Sequence, residues 1–421
     1  MNVKIEKSKL SGSIKIPASK SLAHRVLIAS ALSNENTVVS GKLVGNDVFA
    51  TMDCLKSIGA YFEDTNEDEL LVKPYKYSYK HQISFNAVES GSTLRFLLPI
   101  VSALGLTATF TGEGRLGQRP IGELLTVLTA HGVHTDQTVL PVTVSGKLEA
   151  GEYIIQGGIS SQYISGLLFA LPLLDGDSTI EVVGDMVSAS YIDMTLSVLK
   201  TFGISIVRAR NIFIVKGNQN YQSPQSIQVE GDWSSAGFFA VGGALSGDVT
   251  LCGLASNSLQ GDMVILNLLK NMGADITETE QGITVKKSEL SSITFSAENC
   301  PDLVPIMSVA LANANGISKV TNVERLRLKE SDRLYAVIEM LTKMGVRAEY
   351  RDSALYVYGG EMSGNLVSSF NDHRIAMSAT IAGTVAQGKT TIVDAECVKK
   401  SYPTFFSDHK QLGGKNNAGV L

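Results

Sequence analysis

Residues 17–32, PASKSLAHRVLIASAL, set the reading of the whole chain. A strand-like SGSIKI (11–16) leads into the polar cluster Ser19-Lys20-Ser21, and an apolar helix then runs to Leu32. The same order returns in ESGSTLRFLLPIVSAL (89–104), GGISSQYISGLLFALPLL (157–174), GDWSSAGFFAVGGAL (231–245), NCPDLVPIMSVALANA (299–314) and NDHRIAMSATIAGTVA (371–386). A second series of helix-like segments runs out of phase and ends in Gly59, Gly132, Gly203, Gly273, Gly345 and Gly413, about seventy residues apart. Glycine supplies the left-handed stop that such segments need. In the first of them Val48, Phe49, Met52, Leu55 and Ile58 fall at helical spacing. Self-similarity at a fixed period is a signal of architecture, and units of strand, helix, strand, helix and further strands imply α/β layers. Two lobes of three units each are expected. A single-line solenoid is the alternative, although its repeats usually run to only about 20–45 residues. The polar stretch GNQNYQSPQS (217–226) near the midpoint is the expected linker.

At 421 residues the chain exceeds what one core usually supports, in keeping with two domains. With 44% hydrophobic and 18% charged residues it reads as globular, not disordered. Its longest nearly apolar stretch, 96–106, is too short to cross a bilayer and contains Pro99 and Gly105. MNVKIEKSKLSGSIKI at the N-terminus has no signal-peptide core and reads as strands. Cys54, Cys252, Cys300 and Cys397 form no close pair, which suits a reducing cytoplasm. A net charge of −5 argues against a nucleic-acid partner, and no His or Cys cluster has metal-ligand spacing. The expectation is a cytoplasmic monomer without membrane, nucleic acid, metal or organic cofactor. Any anion site must then be local, built by a few cations against an acidic background.

The helix starts supply such cations. Ser19, Lys20, Ser21 and Arg25 place hydroxyls and two positive charges beside unpaired backbone N–H groups. A solvated, Ser-capped turn is the alternative, although a lysine there opposes the helix macrodipole. The third start offers Gly157, Gly158, Ser160, Ser161 and Gln162, which suit a phosphate or an ordinary cap. The second has Gly91-Ser92-Thr93 with Arg95, and Arg119-Pro120 is read as opening another helix with Pro in first position. GEGRLG (112–117) matches a dinucleotide pattern, but Pro120 keeps Arg119 extended and delays the helix, so that geometry is not met. RLRLKESDRL (325–334) interleaves Arg325, Arg327, Lys329 and Arg333 with Glu330 and Asp332, and alone would be a solvated face. With Asp302, Asp372-His373-Arg374 and Lys400 it becomes one side of a site for two anions, if the lobes face each other. The fourth start, GDWSSAGFF, has a cap and no cation and is expected only to support its lobe.

PASKSLAHR (17–25), GSTLRF (91–96), RLGQRP (115–120), SSQYISGLL (160–168), Pro301-Asp302, RLKESDRL (327–334), NDHRIAMS (371–378) and KSYP (400–403) together resemble the EPSP synthase family of enolpyruvyl transferases. The resemblance spans essentially the whole chain. It implies two lobes each of three βαβαββ repeats with the active site in the interlobe cleft. Lobe 1 would be discontinuous (1–18 and 228–421) and lobe 2 would hold 19–227. The implied reaction moves the enolpyruvyl group of phosphoenolpyruvate to the 5-hydroxyl of shikimate 3-phosphate by addition and elimination, in the shikimate pathway of aromatic amino acid and chorismate biosynthesis. By the family pattern Lys20, Ser21, Arg25, Ser160, Ser161, Gln162, Ser188, Tyr191, Asp302 and Lys329 would hold shikimate 3-phosphate. Lys20, Gly91, Arg119, Gln162, Arg333, Arg374 and Lys400 would hold phosphoenolpyruvate. Asp302 would be the base for the hydroxyl, with Glu330 and Lys20 carrying protons at the methylene carbon. Glyphosate occupies the phosphoenolpyruvate site in this family, and Gly91 leaves it room.

Two positions depart from the family pattern: Glu89 stands where Asn is usual, and Arg325 where many relatives have Asn. An added carboxylate near the phosphoenolpyruvate pocket should repel substrate unless it pairs with a cation or points away. The nearest rival is the transferase acting on UDP-N-acetylglucosamine. It has Lys-Asn in place of Lys20-Ser21 and a reactive Cys in the loop matching 112–120, where this chain has none. A non-catalytic repeat scaffold binding acidic metabolites is the other reading, and it would not need Asp302 and Glu330 among the cations.

Overall fold

A computed structural model of the chain describes residues 1–75 and 82–418. It divides into two units, one of Met1–Pro17 with Gly231–Leu421 and the other Ala18–Glu230. Each holds three four-stranded sheets. In the second repeat Ile83–Asn86 runs parallel to Ala108–Thr111 across the helix Gly91–Ala103. Ala108–Thr111 then pairs antiparallel with Val142–Gly146, which pairs with Val133–Thr135 beyond the helix Gly122–Thr129. This βαβαββ order recurs in the third repeat, from Glu152–Gln156 to Ile212–Val215, and in the fifth, from Thr294–Ser296 to Ala354–Tyr358.

The first and last strands of a unit are where chain order and sheet order part. Ser11–Lys15, expected to lead the first repeat, instead lies parallel to Asp248–Cys252 of the fourth. The first repeat takes its leading strand from Ser226–Gln228, paired with Thr37–Ser40. Val3–Glu6 joins the sixth repeat beside Lys389–Val393. The chain therefore changes unit at Pro17/Ala18 and at Glu230/Gly231. Gln228 is still in the exchanged strand, and Val229 N still bonds Ser40 O at 2.7 Å, so the second change falls three residues later than expected. The polar stretch 217–226 is not a linker. Tyr221 is buried there with its hydroxyl on Phe169 O at 2.7 Å, and Gln222 N bonds Phe202 O at 2.8 Å.

The two helix series bury differently. Gly91–Ala103, Trp233–Ser246, Val304–Ala312 and His373–Val385 are buried on nearly every side, as helices apolar all round must be. They make the cores, and five of the six core-helix starts are fixed by side-chain caps. Ser19, Ser90, Ser160, Asp232 and Asp372 each accept a bond from a backbone N–H in the helix they precede. Second-series helices such as Arg333–Lys343 bury one stripe only. Among the described residues no helix is long and apolar enough to cross a membrane.

Candidate active site

The side chains that the sequence singles out gather at the starts of the core helices, in one cluster per unit. In the unit 18–230, Lys20 Nζ pairs with Asp47 Oδ2 at 2.9 Å. Asp47 lies in the first turn of Asn46–Ser57, and its carbonyl accepts from Thr93 Oγ1 at 3.5 Å, joining the first helix start to the second. Gln162 joins the second to the third: Nε2 donates to Ser92 Oγ at 2.9 Å, and Oε1 accepts from Arg95 Nη1 at 2.6 Å. The Arg119 guanidinium lies over Gly91, where a Cβ would come within 2.8 Å of it. Lys20, Gly91, Arg119, Ser160, Ser161 and Gln162 are thus held around three neighbouring helix starts.

Two arginines here are mostly occupied by protein. Arg25, 2% exposed, donates from Nε to Thr195 Oγ1 at 2.8 Å, from Nη1 to Ser21 O at 2.6 Å and from Nη2 to Tyr191 O at 2.9 Å. Its guanidinium stacks 5.0 Å from the Phe96 ring, and burial pulls its pKa down to about 10. It ties the first helix to Ala189–Thr201, which Ser188 enters in the left-handed conformation at φ 54°. Arg95 donates from Nη2 to Pro120 O at 3.0 Å, and Tyr163 donates to the same carbonyl at 2.6 Å. Pro120 does not open a helix. Arg119 is extended, as a residue before proline prefers, and the helix waits until Gly122. Glu89 lies against Gly114, whose Cβ would stand 2.7 Å from Glu89 Oε2.

In the other unit Asp302 sits in the turn Pro301–Leu303 that starts the fifth core helix. Three cations surround it: Arg333 Nη1 at 2.6 Å, Arg374 Nη2 at 3.2 Å and Lys329 Nζ at 3.3 Å. Arg333, 1% exposed, also holds Glu330 at 2.6 Å and Asp372 at 2.8 Å. Asp372 serves twice, capping Arg374 N at 2.9 Å and taking Ser331 Oγ at 2.9 Å. Lys400 Nζ donates to Asn371 O at 2.6 Å at the same helix start. Asp302, Lys329, Glu330, Arg333, Arg374 and Lys400 are therefore one constellation.

Its electrostatics follow from pairing under burial. Burial works against an ionised Asp302, yet Arg374, Lys329 and Arg333 outweigh it and hold the carboxyl well below the usual range. Burial also opposes the Arg333 charge, and Asp372, Glu330 and Asp302 more than offset it, raising its pKa well above the ordinary value. For Lys329 burial prevails over the help of Asp302 and lowers the pKa. The carboxylates act as internal counter-ions to these cations.

Sequence reasoning passed over Asp47, Ser331 and the pairing role of Asp372. Asp47 reads as an ordinary acidic first-turn residue and Asp372 as a cap. Only their lysine and arginine partners, distant in sequence, reveal the second function.

The pattern of the family EPSP synthase (3-phosphoshikimate 1-carboxyvinyltransferase) matches residues 5–408. A 3-phosphoshikimate 1-carboxyvinyltransferase of Clostridium kluyveri is 40% identical over 417 residues, 98% of this chain and 97% of that protein. One from Clostridium acetobutylicum is 42% identical over 419 residues, with 98% and 97% covered. Among solved structures, EPSP synthase from Acinetobacter baumannii superposes with a TM-score of 0.83 at 26% identity, covering 99% of this chain and all of that one. The enolpyruvyl transferase NikO from Streptomyces tendae shares the fold, with a TM-score of 0.79 at 16% identity, covering 99% of this chain and 98% of that one. Matched along nearly its whole length in sequence and in fold, this chain belongs to the EPSP synthase family.

Proposed function

We propose that the chain transfers the enolpyruvyl group of phosphoenolpyruvate to the 5-hydroxyl of shikimate 3-phosphate, releasing phosphate. The observation that carries this reading is the set of three cations on Asp302, a carboxylate placed among anion-binding groups in a chain of this family. Both substrates are polyanions, so their charges take over the cations that Asp302, Glu330 and Asp47 now neutralise. Once Arg374 and Lys329 turn to substrate, the Asp302 carboxyl loses the charges that depress it and becomes a stronger base for the 5-hydroxyl. Glu330 and Lys20 serve the methylene carbon, which gains a proton on addition and loses one on elimination. Ser160, Ser161, Ser188, Gln162, Arg25 and Tyr191 serve shikimate 3-phosphate, with Arg25 acting chiefly by holding the first helix to Tyr191. The substrates are small molecules and the protein works as a cytoplasmic monomer. Phosphate release from phosphoenolpyruvate with shikimate 3-phosphate, against UDP-N-acetylglucosamine, tests the assignment. Turnover with the UDP-sugar alone would transfer it to the rival enzyme, and turnover with neither would end both.

Gly91 offers a second test. An alanine Cβ would sit 2.8 Å from the Arg119 guanidinium, so Gly91→Ala must push that flexible group aside. Losing one charge-assisted contact corresponds to about a tenfold or larger rise in KM for phosphoenolpyruvate. Inhibition by glyphosate should weaken in parallel, while KM for shikimate 3-phosphate stays put. Steady-state kinetics with each substrate varied reads both. An unchanged KM and unchanged inhibition would remove Arg119 from the phosphoenolpyruvate site.

A further inference from the structure

The fourth repeat, whose helix start carries no cation, brings a carboxyl that nothing above employs. Asp262 lies in the turn Gly261–Val264 and is 2% exposed. Gln260 clamps that turn to the start of Trp233–Ser246: Oε1 accepts from Trp233 N at 3.1 Å, and Nε2 donates to Gly231 O at 2.9 Å. Asp262 Oδ2 accepts from Ser234 Oγ, and Oδ1 has no hydrogen-bond partner among the described residues. The charged groups facing it are Asp232 at the cap of that helix, Asp302 from the fifth repeat and Arg374 from the sixth, with the Cys300 thiol beside them. One neutral donor, two like charges and a cation already engaged with Asp302 make a poor setting for a carboxylate. Burial with incomplete pairing favours the neutral acid. Burial first, then the Asp302 charge, push this carboxyl up to about 7 against the pull of Arg374 and Ser234.

We propose that Asp262 is a positioning residue that takes up a proton from solvent when an anion binds at Arg374, leaving the guanidinium charge to substrate and Asp302. The proposal rests on the reading of Arg374 as a phosphoenolpyruvate contact. A phosphate or carboxylate arriving there adds negative charge near a buried carboxyl and raises its proton affinity. Linkage makes the effect reciprocal: the form protonated at Asp262 binds the anion more tightly. Up to one proton enters per anion bound, most where the free carboxyl is ionised, and it leaves when the anion does. The repeat without a cation thus sets the charge available to its neighbours.

Asp262→Asn mimics the neutral acid and keeps an acceptor for Ser234. Between about pH 6 and 9 the ratio of wild-type to variant kcat/KM for phosphoenolpyruvate should fall about five- to tenfold as pH rises. The ratio cancels titration of the ligand itself. Ser234→Ala removes the one hydrogen bond that favours the carboxylate and should move the wild-type fall to higher pH. A protonated-carboxyl band should titrate near neutrality in the infrared pH-difference spectrum of the wild type and vanish in Asp262→Asn. Calorimetry with inorganic phosphate in two buffers of different ionisation enthalpy should show proton uptake in the wild type only. Active enzymes with a pH-independent ratio and the same infrared band would overturn the proposal. If neither protein consumes phosphoenolpyruvate with shikimate 3-phosphate, the functional reading fails instead, while the infrared band and phosphate-linked uptake still decide the role of Asp262.

Discussion

Asp302→Asn is expected to lower kcat by about 10²–10⁴-fold, the usual contribution of a general base, while anions bind more tightly. The two effects share one cause. Asp302 is the counter-ion of Arg333, Arg374 and Lys329, so any anion that binds there must first displace it. Asparagine keeps the shape and can still accept from Arg333, but brings no charge. The freed cations should then hold inorganic phosphate, which neither protein turns over, about tenfold or more tightly by calorimetry, the worth of one charge-assisted contact. Glu330→Gln separates the roles. It removes the carboxylate on Arg333 Nη2, a guanidinium that Asp302 and Asp372 also neutralise, so it should cost turnover without comparable tightening. Weaker phosphate binding in Asp302→Asn would mean that the carboxylate organises the site and does not compete for it. Unchanged kcat would remove it as the base.

The parts of this molecule legible in its sequence are those set by local chemistry. Ser19, Ser90, Ser160, Asp232 and Asp372 each stand just before an apolar run, and capping requires only that adjacency. Gly59, Gly132, Gly203, Gly273, Gly345 and Gly413 all adopt positive φ, and the period they mark was visible for that reason. The exchange of Ser11–Lys15 followed from the family resemblance and not from the strand pattern, because alternation in a five-residue strand says which face is buried and nothing about which strand lies beside it. Tyr221 was hidden among polar neighbours whose side chains stay outside. The cations were legible as residue types at helix starts, but their pairing was not. Arg25 and Arg95 spend most of their donors on carbonyls and side chains that only the tertiary fold brings near.

Arg333→Met should produce the largest loss of stability, about 3–5 kcal/mol at neutral pH, the cost of breaking a buried ion pair from one side. Methionine fills much of the space but strands Asp372, which is fully buried and is left with Ser331, its capping role and the His373 ring at 3.8 Å. Asp302 suffers less because Arg374 and Lys329 remain. The pH dependence should invert. In the wild type burial pushes the Asp372 carboxyl up, but Arg333 prevails and its folded pKa is lowered. Its contribution is therefore present above the ordinary carboxylate pKa and fades as pH falls through the folded value. Without Arg333, burial raises that pKa above the unfolded value, so stability should instead fall as pH rises from about 4 toward neutrality. Urea unfolding followed by Trp233 reads this directly, because the chain's one tryptophan is buried in the same unit as Arg333. Adding Asp372→Asn should restore most of the loss, since a neutral amide can still cap Arg374 and accept from Ser331. A loss under about 1 kcal/mol, typical of exposed pairs, or an unchanged pH trend would mean that solvent rather than Arg333 compensates Asp372.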